Sequence, residues 1–108
     1  MILKKILYPK GDEHYNNELV SYENEGITTT FGTVFLKKGS RIPKEGFSRH
    51  PFNEVSIITE GCIEMINEEG NSIDSLTKGT AVYINALEPQ AGNVIEDTTL
   101  IYVLNQKT

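Results

Sequence analysis

Two side chains that can take part in acid–base or metal chemistry stand close together near the middle of the chain, His50 and Glu54. Alternation along the apolar stretch that follows places Glu54, Ser56 and Ile58 on one face of a predicted strand. If that face lines the inside of a barrel, the carboxylate of Glu54 needs a metal ion, a cationic side chain or several hydrogen-bond donors as its partner. His50 lies just upstream and is the candidate to share that partner.

The spacing of these residues resembles the first cupin motif, which reads His-x-His, three or four residues, Glu, six residues and Gly. This chain reads Ser48, Arg49, His50, three residues, Glu54, six residues and Gly61, so a serine stands where the motif has its first histidine.

A second segment resembles the second cupin motif, in which Gly is followed after five residues by Pro, after four more by His, and shortly afterwards by Asn. The same frame here holds Gly79, Asn85, Gln90 and Asn93. The glycine and the spacing match, whereas asparagine replaces the proline and glutamine replaces the metal-binding histidine.

The resemblance implies an all-β protein with one small cupin-type barrel (an RmlC-like jelly roll). The single domain spans residues 1–108, and the motif-bearing barrel covers about residues 27–104. The N-terminal strand of many cupins crosses to a second subunit, so residues 1–26 are the candidate interface of a homodimer.

Carried over position by position, the resemblance implies a ligand-binding set of Ser48, His50, Glu54 and Gln90. His50, Glu54 and Gln90 are the candidate metal ligands. Imidazoles give iron, nickel and zinc sites much of their affinity. The set therefore predicts a weakly bound divalent metal (Mn²⁺, Fe²⁺, Ni²⁺ or Zn²⁺) or none.

Two metal-free interpretations stand beside that one. In the first, the carboxylate of Glu54 favours the imidazolium form of His50, and the pair holds a polar ligand or acts as the catalytic acid and base. In the second, His50 is an ordinary turn residue and Glu54 pairs with a cation such as Arg49 or Arg41. No catalytic residue is assigned beyond the candidates His50 and Glu54.

Composition limits the partners. The net charge of −5 and the pI near 5.0 argue against nucleic acid and against anionic membrane surfaces. The longest apolar run, at residues 100–104, is far shorter than the roughly 20 residues that span a membrane. The single cysteine, Cys62, fits a cytoplasmic location.

Turn signals recur along the chain and separate short strands. Residues 1–8 could form a strand or a short helix, and residues 13–26, including a solvated loop histidine (His14), could be helical or extended. Gly61 is predicted to turn the chain into a second hairpin strand, and Glu96 with Asp97 to turn it into the last strand. That last strand, at residues 98–104, should be buried on both faces. Tyr83 and Tyr102 are each predicted to be aromatic residues of the core.

Three functions remain open at this level. The first is a small-molecule-binding cupin, and the second is an isomerase, lyase or dioxygenase that uses a metal or His50. The third is a structural or partner-binding module whose pocket is vestigial.

Overall fold

The structure is a computed structural model that describes residues 1–9 and 16–108, so the prediction made for His14 lies outside the described residues. The described residues form an all-β domain. Its strands are β1 (Asn16–Asn24), β2 (Ile27–Leu36), β3 (Arg41–Ile42), β4 (Asn53–Ile66), β5 (Ser72–Thr77), β6 (Ala81–Ile84) and β7 (Gly92–Lys107).

The strands are antiparallel and follow the order β1-β2-β7-β4-β5. Two long strands, β4 and β7, pair with each other along most of their length. The start of β4 also pairs with β6 and its end with β5, while the start of β7 pairs with β3 and its later part with β2. Both long strands therefore serve two parts of the barrel wall.

Alternation along β4 follows the sequence prediction. Ser56 and Ile58 are 2% and 1% exposed, whereas Val55 and Ile57 are 38% and 46% exposed. Ile58 belongs to one hydrophobic core cluster, composed of Val34, Leu36, Ile58, Ile63, Leu76, Val94, Leu100 and Tyr102.

Gly61 does not end a strand, which corrects the predicted hairpin. Its φ of 100° bends β4, and a Cβ there would lie 2.4 Å from both the carbonyl oxygen of Asp97 and Thr98 Oγ1. The buried Thr98 hydroxyl donates to the carbonyl of Glu96 at 2.8 Å and accepts from the amide of Cys62 at 3.1 Å. The turn signals at Gly61 and at Glu96–Asp97 thus mark one paired bend in two continuous strands.

Other expectations need smaller corrections. Tyr83 is 55% exposed and is not a core residue, whereas Tyr102 is 4% exposed. Only one face of the last apolar run is fully buried, since Ile101 and Val103 are half-buried. Residues 16–24 are extended, and residues 1–9 form neither helix nor strand.

The N-terminal segment touches the outer side of the sheet near Leu7. Its carbonyl accepts hydrogen bonds from Thr33 Oγ1 and from Asn17 Nδ2, and the hydroxyl of Tyr8 lies 3.0 Å from Thr59 Oγ1. The part of the chain that the structure describes contains no helix that is long and apolar enough to cross a membrane.

The paired bend leads to a stability prediction for two glycines with positive φ. Gly70 has a φ of 84° and no atom within 4 Å of an added Cβ, so Gly70→Ala tests backbone strain alone. We expect Gly70→Ala to cost about 1–2 kcal/mol. Gly61→Ala should cost at least about 2 kcal/mol more, because its Cβ collides with backbone as well.

Urea denaturation of the two variants measures this difference. Equal losses in the free energy of unfolding would show that β4 and β7 can separate at the bend without cost.

Candidate functional site

The barrel wall and the neighbouring loops line an open cavity of about 830 Å³. Its wall includes the inward residues of β2, β4 and β7 together with the loop that precedes β4. All four predicted ligand-binding residues border it, namely Ser48, His50, Glu54 and Gln90. A volume of this order suits a small organic ligand.

Ser48 and Gln90 face each other across an isolated antiparallel bridge. The amide of Ser48 donates to the carbonyl of Gln90 at 2.9 Å, and the amide of Gln90 donates back at 3.0 Å. Directly opposite residues in such a pair project their side chains to the same side. The two positions at which the resemblance expects histidine are therefore neighbours in space, although they are far apart in sequence.

His50 is held by its backbone and by its ring. Its carbonyl accepts from the amide of Leu87 at 2.7 Å, which ties the loop before β4 to the loop after β6. Its imidazole stacks on Phe52 with ring centroids 4.8 Å apart and an interplanar angle of 7°. Both rings are half-buried and border the cavity, so the imidazole is oriented by packing.

Glu54 lies at the inward start of β4, between Ile84 of β6 and Leu104 of β7. One carboxylate oxygen, Oε2, accepts a hydrogen bond of 2.8 Å from Ser56 Oγ. The carboxylate is half-buried in a cavity wall that is otherwise largely apolar. Ser56 gives it one donor and no compensating charge.

The predicted pairing of Glu54 with an arginine is not formed. Arg49 makes its ion pair with Glu68 at 3.3 Å. Arg41 Nη1 donates to the carbonyls of Pro43 and Gly46 at 2.7 Å and 2.9 Å, so its guanidinium holds the loop after β3. Both arginines are therefore bound to acceptors other than Glu54.

Tyr102 is a site residue that the sequence reasoning assigned only to the core. It stands directly opposite Ser56 on β7, borders the cavity, and donates its hydroxyl hydrogen to Asn16 Oδ1. Burial raises the pKa of Tyr102, and the negative charges of Glu18 and Glu54 raise it further. The Tyr102 hydroxyl and the Glu54 carboxylate thus border the same cavity.

The absence of a side chain at Gly32 leaves room for the ring of Tyr102. A Cβ on Gly32 would lie 2.4 Å from the Tyr102 oxygen and 2.6 Å from its Cζ. The two residues are direct cross-strand partners between β2 and β7. A glycine in the middle of an otherwise β-branched strand was the sequence signal for this close approach.

The donor set does not make a histidine-rich metal centre. Within residues 1–9 and 16–108, no group of three or more His, Cys, Asp or Glu side chains could hold a metal ion. The cavity offers one imidazole, one carboxylate and the neutral oxygens of Ser48 and Gln90. These groups favour at most a weakly bound metal ion of a kind that accepts oxygen ligands.

Solved structures with the same architecture are numerous. The chain aligns with the EutQ protein of Clostridium difficile at 18% identity and a TM-score of 0.65, covering 83% of this chain and 60% of that one. It aligns with a cupin-2 domain protein of Shewanella frigidimarina at 16% identity and a TM-score of 0.63, covering 85% and 81%. The chain has the cupin fold.

A third cupin extends this similarity to nearly the whole chain. An RmlC-like cupin of Methanocaldococcus jannaschii with a double-stranded β-helix fold covers 99% of this chain and 92% of its own, at 16% identity and a TM-score of 0.63. No family model and no curated protein matches the chain. Similarity at these identities concerns the fold, and a cupin fold by itself carries no particular ligand or reaction.

The Ser48–Gln90 bridge leads to a metal-affinity prediction. The double change Ser48→His plus Gln90→His should place two imidazoles side by side at the cavity, near His50 and Glu54, and complete a three-histidine, one-glutamate set. Calorimetry with Ni²⁺ or Zn²⁺ should then show affinity at least about 100-fold tighter than in the unmodified protein, because each imidazole adds a strong ligand.

The matched control is Ser75→His plus Gln106→His, at exposed positions on β5 and β7. A folded Ser48→His, Gln90→His variant that gains no more affinity than this control would show that the two bridge positions do not converge on one ion.

Proposed function

We propose that the protein is a small-molecule-binding cupin that holds a polar ligand against Ser48, His50, Glu54 and Gln90. The observation that carries the proposal is that these residues, which come from two separate segments of the chain, border one cavity of about 830 Å³. A vestigial barrel would fill its interior with side chains, so this open volume favours ligand binding over a purely structural module. Any divalent metal would be a weak accessory held by His50, Glu54 and Gln90.

An acid–base enzyme is the second candidate. The supporting observation is that the hydroxyl of Tyr102 and the carboxylate of Glu54 border one cavity, since a hydroxyl and a carboxylate can donate and accept a proton in one site. His50 would then be a further proton carrier at the same cavity. This activity would use the same binding site as the first proposal.

Ligand binding can be tested by nuclear magnetic resonance with a library of small polar compounds. We expect hits to shift the amide signals of His50, Glu54 and Gln90. Ser48→Phe should weaken these hits at least about tenfold, because the ring occupies the cavity while the backbone bridge to Gln90 is kept.

The control is Ser75→Phe, which adds the same ring at an exposed position of β5. Hits that map outside the cavity, or that bind folded Ser48→Phe as well as the unmodified protein, would contradict the proposal.

We further propose a cytoplasmic homodimer. The outer face of the sheet carries an apolar ladder, defined here as the directly opposite residues Val20, Phe31, Val103, Val55 and Tyr83 on five adjacent strands. Val55 and Tyr83 are 38% and 55% exposed, and Val20, Phe31 and Val103 are half-buried. The N-terminal side chains Ile2 and Leu3 are 76% and 83% exposed as well. Apolar side chains that remain accessible in this way are typical of an interface. The lone Cys62 supports the cytoplasmic location.

The dimer can be tested with Val55→Glu, which places a charge within the apolar ladder, between Val103 and Tyr83. Sedimentation equilibrium at micromolar concentration should give about twice the chain mass of 12.1 kDa for the unmodified protein and about that mass for Val55→Glu. Thr77→Glu adds the same charge on β5, away from the ladder, and should remain dimeric. A monomeric unmodified protein would contradict the proposal.

A further inference from the structure

The Glu54 carboxylate has no cationic partner in the described part of the cavity wall. Among the described residues, no lysine, arginine or histidine nitrogen lies within 4.0 Å of the Glu54 carboxylate, and the ion pairs that form join Arg49 to Glu68 and Lys78 to Glu60. Ser56 satisfies Oε2 only. A half-buried carboxylate with one hydrogen bond is an acceptor that a cationic ligand would stabilise.

Three cationic side chains, Lys37, Arg41 and Lys44, also border the cavity, and none of them pairs with Glu54. Arg41 donates to the carbonyls of Pro43 and Gly46, and the two lysines are exposed to solvent. Glu54 is the one carboxylate of the described wall, and it is left as an acceptor for a cationic ligand.

The rest of the wall suits an apolar body. Leu100 and Leu104 of β7 and Met65 of β4 border the cavity, together with the aromatic rings of Phe52 and Tyr102. Aliphatic side chains favour a hydrocarbon group, and aromatic faces also attract an ammonium. The combination of one carboxylate with apolar and aromatic walls matches an amine better than a sugar or a carboxylic acid.

We propose that the cavity binds an organic amine with an apolar body, whose ammonium group is seated on the Glu54 carboxylate. This inference rests on the proposed function, which it makes specific by assigning the charge of the ligand. Ser48 and Gln90, on the neighbouring bridge, supply neutral donors and acceptors for a polar substituent of the same ligand.

Three probes that share one phenylethyl group separate charge from shape. They are 2-phenylethylamine, 2-phenylethanol and 3-phenylpropionate, a cation, a neutral alcohol and an anion. Calorimetry at neutral pH, low salt and with a chelator present should show the amine binding at least about tenfold tighter than the alcohol, and the carboxylate weakest. Glu54→Gln should bring the amine to within about threefold of the alcohol, because the amide keeps the shape of the carboxylate and removes its charge.

The control is Glu60→Gln, which removes the same charge from an exposed ion pair with Lys78 and should keep the amine preference. The inference is overturned if the alcohol or the carboxylate binds as tightly as the amine, if none of the three probes binds, or if Glu54→Gln keeps the preference. The proposed function is judged separately, by whether Ser48→Phe blocks the polar compounds that bind the cavity. Binding that Ser48→Phe blocks but that shows no amine preference leaves the proposed function standing and rejects the amine.

Discussion

The barrel depends on the close contact between the backbone of Gly61 and that of Asp97 and Thr98. An added Cβ would lie 2.4 Å from the Asp97 carbonyl oxygen, so only a glycine lets β4 and β7 approach at this point. Thr98 is fully buried, and its hydroxyl forms hydrogen bonds with the amide of Cys62 and the carbonyl of Glu96 where the strand pairing is irregular. Because both strands bend here together, β7 pairs with β2 and β4 with β6 on one side of the bend, whereas β7 pairs with β3 and β4 with β5 on the other. The cavity exists because the wall turns at this contact.

The bend also explains how residues from distant parts of the chain meet. Glu54 lies before it on β4, whereas Met65 lies after it and packs beside Gly92, at the start of β7. The Ser48–Gln90 bridge continues the pairing of that second half into the loops. A carboxylate on one half of the wall thereby shares a cavity with a serine and a glutamine on the other. A second glycine, Gly32, leaves the space that the ring of Tyr102 occupies.

Local patterns predicted the fold well because they are governed by alternation. The inward and outward residues of β4 followed from period two. The errors came from signals that are ambiguous without a partner strand. A glycine or an acidic pair indicates a change of direction, but only the neighbouring strand decides whether the chain reverses or bends. Gly61 and Glu96–Asp97 were such a pair.

The site was predictable only in part for a related reason. Motif spacing placed Ser48, His50, Glu54 and Gln90 together before any contact was known, and all four border the cavity. Tyr102 was missed because its role depends on Gly32 across the sheet and on Asn16 at the edge, which no local pattern joins. The partners expected for Glu54 were wrong because an arginine's choice among carbonyls and carboxylates is made by loop geometry, as the bonds from Arg41 to Pro43 and Gly46 show.

The side chains at the Ser48–Gln90 bridge decide whether the site has enough strong ligands for a metal ion. Two histidines there would add strong metal ligands to His50 and Glu54, and the carboxylate would then be balanced by an ion. Serine and glutamine leave that charge in place, because their oxygens and amide are neutral. An unbalanced carboxylate in an apolar wall costs free energy in the empty protein, and a cationic ligand recovers part of that cost on binding. The weak metal affinity that we predict and the organic cation that we propose as ligand therefore share one physical basis, a Glu54 carboxylate that pairs with no cationic side chain of the described wall.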